Sequence, residues 1–437
     1  MGSGLTATQK RKRPNVVLHQ AEQVANASSD GADTTKPTAV YTPTKGRSYT
    51  LSIALPGSVI ANAQSHDLKT AMAGAIARAA AVFTVDEIII FDDGQSHVNT
   101  RGKAASSGVG HNADHTAYTG YTDPDYFLYH LLSYLETPPN LRKALFPLHP
   151  NLRTAGTLPS LDMPHHLRAD EWCQYREGVV LDPARADDES SSSSSSSHGG
   201  SRSSGSPPAH KRRRRRRGSI GISITPSPPP PPPPDATTLV DAGLPAPVRL
   251  DPPAPIPPRT RVTLRFAAAA ADPGLRGGLA AAPVGPARPR EEAGYYWGYQ
   301  TRQAGSLSAV FTECPWDGGY DVAVGTSERG LPISQLVSAA GVPKEEEDGG
   351  GGGGGQALPA EFQHLMLVFG GVAGLEVAAM ADEELVAKGV TGKNVGDIFD
   401  AWVNLVPNQG SRTIRCEEAI WLGLMGFSEY IARYGVM

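Results

Sequence analysis

The chain has 437 residues, a formal net charge of −4 and a sequence pI near 6.3, with 48 glycines and 38 prolines gathered largely in low-complexity tracts, so its folded part is smaller than its length. Three widely spaced cysteines, Cys173, Cys314 and Cys416, with no C-x-x-C pair support neither a disulfide framework nor a zinc site, and no apolar run approaches the ~20 residues a membrane helix requires. Much of the positive charge sits in one block at 211–217, so any nucleic-acid binding would use a local basic face, and the chain is expected to be soluble and intracellular.

Residues 1–47 are polar and aperiodic and read as a disordered tail, in which Lys10, Arg11, Lys12 and Arg13 form either a nuclear import address or a solvated charge run. A strand over 49–55 ends at Pro56-Gly57. The spacing of Leu68, Ala71, Met72, Ala75, Ile76, Ala79, Val82 and Phe83 predicts a helix over 65–83. The continuously apolar strand 87–91 then stops at Asp92-Asp93-Gly94. A strand, a helix and a buried strand in this order make a βαβ unit, hence an α/β fold with a parallel sheet covered on both faces.

Asp123-Pro124 opens a helix by the N-cap and N1 rules, Pro138-Pro139 ends it, and a shorter helix follows over 141–146. The adjacent His165 and His166 lack a third partner for a metal and read as structural or substrate contacts. After a strand at 176–181 the chain enters a tract, 184–258, with eight consecutive serines, the basic block and seven consecutive prolines, none of which can build a core. Strands are expected again at 261–266, and at 295–302 and 307–311 after an Ala/Gly/Pro segment, as a small antiparallel barrel or sheet inserted into the α/β part. There Tyr299 and Trp297 beside Arg302 either stack bases or fill a core.

The last third repeats one plan three times. A strand at 320–325 turns at Thr326-Ser327; after a polyglycine insertion at 345–356, strand 365–369 breaks at Gly370-Gly371; and strand 403–406 runs into Pro407-Asn408-Gln409-Gly410, where Ser411 or Thr413 would cap the helix that Glu417 and Glu418 open. Such corners put bare backbone N–H and C=O groups around one space suited to a nucleotide-like ligand. Gly370-Gly371-Val372-Ala373-Gly374 lacks the G-x-G-x-x-G order and no G-x-x-x-x-G-K-[ST] occurs in the chain, which disfavours a dinucleotide or a triphosphate.

Leu55-Pro56-Gly57-Ser58 with Asn62-Ala63-Gln64, then Val85-Asp86-Glu87, Gly325-Thr326-Ser327-Glu328-Arg329-Gly330, Val368-Phe369-Gly370-Gly371 with Gly374-Leu375-Glu376, and Gln409-Gly410-Ser411-Arg412-Thr413-Ile414-Arg415 follow one another in order. Together they resemble the eukaryotic and archaeal branch of the SPOUT RNA methyltransferases, over most of 48–183, 260–335 and 357–424. The resemblance implies a knotted SPOUT-type parallel sheet with helices on both faces, interrupted by an oligonucleotide-binding-type barrel. It divides the chain into a tail (1–47), a first part of the SPOUT domain (48–165), an insert (166–318) and a second part (319–437) holding the trefoil knot.

It also implies S-adenosylmethionine bound in the knot by Thr326, Ser327, Gly370, Gly371, Gly374, Leu375, Glu376, Asn404, Pro407, Gln409, Gly410, Ser411, Thr413 and Ile414, with the apolar side chains of Leu375 and Ile414 against its ring. Arg329 and Arg415 would stabilise charge on the acceptor, and Glu328 or Glu376 would take its proton or bind the ribose. Arg78, Asn62, Arg302 and Tyr299 would touch RNA. The expected activity is methylation of a base in ribosomal or other structured RNA, without a metal, by a nuclear or nucleolar homodimer carried by an import receptor. The alternative is an RNA-binding or assembly scaffold that keeps the fold without catalysis.

Overall fold

A computed structural model describes residues 43, 45–95, 115–182, 238–267, 279–341 and 358–436. The basic run at 10–13, the serine, arginine and proline runs and the polyglycine insertion lie outside the described residues. Six parallel strands form one sheet in the order β11-β9-β10-β1-β2-β8: β1 (Thr50–Pro56), β2 (Glu87–Phe91), β8 (Gln300–Ala304), β9 (Val322–Pro332), β10 (His364–Val368) and β11 (Ala401–Asn404). Central strands β1 and β2 are buried along their whole length, as their unbroken apolar runs predict for a sheet covered on both faces.

Helices α1 (His66–Val82), α2 (Pro124–Glu136) and α9 (Cys416–Tyr434) supply one covering layer, where Ile76, Leu128, Leu131 and Phe427 meet Ile53 and Leu367. On the other face α5 (Leu307–Thr312), α7 (Gly374–Ala381) and α8 (Glu383–Ala387) pack against Ala54, Ile89, Met366 and Val368. Two short helices, α3 (Pro139–Leu145) and α4 (Arg288–Ala293), and α6 (Ile333–Ser338) complete the helical set described here.

The N-cap of α1 is Ser65, whose hydroxyl accepts the Leu68 amide at 3.2 Å. Ser65→Ala is expected to lower stability by about 1 kcal/mol in urea unfolding, the usual value of such a cap. Leu68 and Val82, assigned to the buried stripe, lie in the first and last turns and are exposed; Lys69 is buried instead, its ammonium donating to the Ile60 carbonyl at 2.6 Å.

Five further strands close a barrel in the order β3-β4-β5-β7-β6: β3 (Tyr175–Val180), β4 (Leu239–Asp241), β5 (Val248–Leu250), β6 (Arg261–Phe266) and β7 (Ala280–Val284). Val180, Val240, Val248, Leu250, Leu264 and Phe266 fill it. Three expectations are corrected here. First, β4 and β5 lie inside the tract read as unable to build a core; β4 buries only Val240 and β5 only Val248 and Leu250, too short a pattern to stand out beside proline and serine runs. Second, β7 comes from the Ala/Gly/Pro segment and survives because it is held between two neighbours, β5 and β6.

Third, the aromatic stretch at 295–302 does not join the barrel. Its end becomes β8, which pairs in parallel with β2 from Glu87–Gln300 to Phe91–Ala304. Residues 307–311 are helix, not strand, because the Ser306 hydroxyl caps the Ala309 amide at 3.3 Å.

The barrel is fastened at the amino ends of the sheet strands by a buried charge cluster. Arg261 of β6 contacts both Glu136 carboxylate oxygens, its Nη2 at 3.0 Å, and donates to Glu177 at 2.6 Å. Thr263 and Trp297 also donate to Glu177, each at 2.6 Å, and His165 Nε2 lies 2.9 Å from Glu136. His166 Nε2 sits 2.6 Å from the Glu136 carbonyl, and burial holds its ring down at about 3, hence neutral. Both histidines are therefore structural. Among the described residues no group of three potential metal ligands occurs, and no helix is long and apolar enough to cross a membrane.

Candidate functional site

Because every strand of the sheet is parallel, all their carboxyl ends open on one edge. Adjacent strands β11, β9 and β10 bring the three turn-rich segments together there, and β1 and β2 continue the edge. The pairing of β9 with β11 skips: Trp402 faces Gly325, but the next residue, Val403, faces Leu331. Residues 326–330 thus bulge from the sheet as a five-residue loop. Gly330 closes this loop so tightly that a Cβ there would lie 2.4 Å from the Val403 backbone; only glycine permits that approach.

Side chains tie the segments to one another. Thr326 donates to the Val368 carbonyl at 3.1 Å, Ser327 to Glu376 at 3.3 Å, and Asn404 to the Glu328 carbonyl at 2.8 Å. Arg329 lies 3.6 Å from Glu376 and is 68% exposed, so most of its guanidinium faces solvent. Arg329, Glu376, Lys393, Asp397 and Trp402 line a cavity of about 230 Å³. Gly374 has φ +77° and opens α7, bending the chain so that Gly370 packs against the Gly374 and Leu375 backbone.

The third segment is the most open. Pro407, Gly410, Ser411 and Thr413 are exposed, Gln409 and Ile414 are partly so, and nothing lies within 4 Å of a Cβ placed on Gly410. Asn408 takes the left-handed conformation at φ +61°. Neither Ser411 nor Thr413 caps α9; the N-cap is Arg415, whose own amide donates to Glu418 at 2.9 Å. Its side chain is 73% exposed. An exposed cation at a helix amino terminus opposes the helix dipole, offset here by the Glu417 carboxylate 3.8 Å away.

Several site residues are placed elsewhere. Leu375 is fully buried in the core beneath α7, so only its backbone reaches the corner. Tyr299 is 3% exposed with its hydroxyl donating to the Leu132 carbonyl, which leaves no ring face for a base. Arg302 is held by Glu87 at 3.1 Å and by the Val310 carbonyl at 3.0 Å. For both, an aromatic-basic strand pattern is the same whether the strand ends up at a surface or against a helix. Arg78 is exposed on α1 and donates to the Leu161 carbonyl at 2.7 Å, while Asn62 is exposed just beyond the carboxyl end of β1.

Two residues of this edge had no assigned role in the sequence. Asp93 follows β2, is 4% exposed, accepts the Ser58 hydroxyl at 2.6 Å and the Gln95 amide at 3.0 Å, and lies 3.0 Å from where a Gly371 Cβ would be. Burial pushes its carboxyl above the ordinary 3.8, with the Ser58 hydrogen bond pulling the other way. The signal in the sequence was the Asp92-Asp93-Gly94 stop, legible only as a turn. A cavity of about 840 Å³ lies at the opposite edge, between the barrel and the amino ends of the strands, lined by Glu136, Glu177, Arg261 and Trp297.

Residues 50–427 match the family model described as "Putative RNA methyltransferase". The chain belongs to this RNA methyltransferase family. Among curated proteins, the methyltransferase is 36% identical to a human 28S rRNA (uridine-N(3))-methyltransferase over 393 residues, covering 90% of this chain and 81% of that one. The mouse protein of the same name is 37% identical over 395 residues (90% and 79%), and the Drosophila melanogaster one 33% over 424 residues (97% and 70%). The family match over residues 50–427 takes in the sheet, the barrel and all three loops.

Proposed function

We propose that the protein methylates N3 of a uridine in 28S rRNA, using S-adenosylmethionine held at the carboxyl edge of the sheet. The observation that carries this reading is the meeting of three glycine-bearing loops on adjacent parallel strands, in a chain whose relatives are named for that reaction. The residues present fit such a cofactor: the bare backbone of Gly370, Gly371 and Gly374, the Glu376 carboxylate and the open loop at 407–413 offer donors and acceptors for a ribose and an adenine edge. The SPOUT resemblance supports a trefoil knot in this region, a homodimer, and import into the nucleus through the basic runs; the five-stranded closed barrel suits RNA contact.

When bound, S-adenosylmethionine supplies an electrophilic methyl on a sulfonium. The chain's own residues have to align the uracil ring and manage the N3 proton and the charge that its loss leaves on the neighbouring oxygens. Glu328 and Glu376 are the carboxylates at the loops that could take that proton; Glu376, held by Ser327 and Arg329, is the better fixed. Arg329 and Arg415 are exposed guanidinium groups at the same loops, and neither can serve as a base.

Calorimetric titration with S-adenosylmethionine, followed by transfer of labelled methyl to 28S rRNA and mapping of the modified base, tests the reading. Binding and N3-uridine product are expected, with Arg415→Ala lowering the turnover roughly 10²-fold and leaving cofactor affinity unchanged. Cofactor binding without transfer to any cellular RNA would leave a scaffold that retains the fold.

A further inference from the structure

The described residues contain five buried carboxylates. Three are matched by arginine: Glu87 by Arg302 at 3.1 Å, Glu136 by Arg261, and Glu177 by Arg261 at 2.6 Å. Asp382 instead caps α8, accepting the Glu384 and Leu385 amides at 3.0 and 3.1 Å and the Ser308 amide at 2.6 Å, which holds its carboxyl below the ordinary value although burial acts the other way. Asp93 is the exception. Among the described residues its hydrogen-bond donors are neutral, the Ser58 hydroxyl and the Gln95 amide, and the strongest charge acting on it, that of the Asp92 carboxylate, has the same sign. A buried anion without a counter-charge is costly, and a fold keeps one where something cationic arrives.

Its location says what would arrive. Asp93 and Ser58 close the ends of neighbouring strands β2 and β1, joined by a 2.6 Å hydrogen bond, and both lie against Gly371: a Cβ there would be 3.0 Å from Asp93 Oδ2 and 3.2 Å from Ser58 Oγ. Ser58 has one proton and gives it to Oδ2, and the Gln95 amide occupies Oδ1, so the carboxylate is fixed in direction while keeping lone pairs free. The corner it touches is the one assigned to the cofactor. We propose that Asp93 is the anionic contact for the cationic methionine end of S-adenosylmethionine, with Ser58 setting its orientation. This inference rests on the cofactor reading above.

The test is calorimetry on the full-length protein and its Asp93→Asn and Ser58→Ala variants, with S-adenosylmethionine and with S-adenosylhomocysteine, which has the same ammonium but no sulfonium charge. Asparagine keeps the size and can still accept from Ser58, and thermal melting checks that each variant is folded. Asp93→Asn is expected to weaken S-adenosylmethionine by on the order of tenfold or more, while Ser58→Ala, which keeps the charge, weakens it much less. A loss for S-adenosylmethionine alone assigns the contact to the sulfonium; equal losses for both ligands assign it to the ammonium. Unchanged affinity in Asp93→Asn, or equal losses in Asp93→Asn and Ser58→Ala as for a simple buttress of Gly371, overturns the proposal. If the unaltered protein binds neither ligand, the cofactor reading itself has failed and this contact falls with it.

Discussion

Glu136→Ala is expected to destabilise the protein by about 3 kcal/mol in denaturant unfolding, because it takes from the part-buried Arg261 one of its two carboxylates and leaves His165 only the backbone carbonyl of residue 136. Glu136 is 6% exposed and ends α2, so its loss acts at the junction of sheet and barrel rather than at a surface pair. The same cluster sets an acid limit. Burial alone would raise the Glu136 carboxyl, but the Arg261 charge and the His165 hydrogen bond outweigh it and hold the group far below the ordinary glutamate value of 4.5. A carboxylate with a depressed folded-state value stabilises fully above the unfolded value and loses that contribution as the pH falls below it. The unaltered protein should therefore weaken steadily below about pH 4.5, and Glu136→Ala should show a flatter acid limb. Equal acid limbs in the two proteins would remove Glu136 from this role.

Gly330→Val should abolish methyl transfer, by roughly 100-fold or more, in a protein that still folds. The valine Cβ would meet Val403 at 2.4 Å, so β11 and the 326–330 loop would have to separate just where Asn404 holds the Glu328 carbonyl. The strands before the skip, with Val324 opposite Ala401, are left paired. Labelled methyl transfer to 28S rRNA, read beside the thermal melt, decides the matter: normal turnover in a folded Gly330→Val protein would mean that this loop's position is not part of the chemistry.

Local pattern sufficed where an element's own residues decide its state. β2 was bounded correctly because five apolar residues are stopped by Asp92-Asp93-Gly94, and α2 because Asp123-Pro124 and Pro138-Pro139 bracket it. The three strand-to-turn segments were legible for the same reason, each being an apolar run broken by glycine or proline. What the sequence by itself determined was thus the α/β class, the parallel sheet and the loops proposed to bear the site.

Only the tertiary structure decided which of these meet. Strand order places β9 between β10 and β11, and nothing local to any of the three strands encodes that adjacency. For Tyr299, Arg302 and Leu375 the sequence could not show burial, which is a property of the neighbours: Leu132, Glu87 and the second core occupy faces those side chains would have offered. Asp93 was missed for the converse reason. A carboxylate after a strand reads as a turn former, and its burial exists only because Ser58, Gly371 and the end of β2 fold around it.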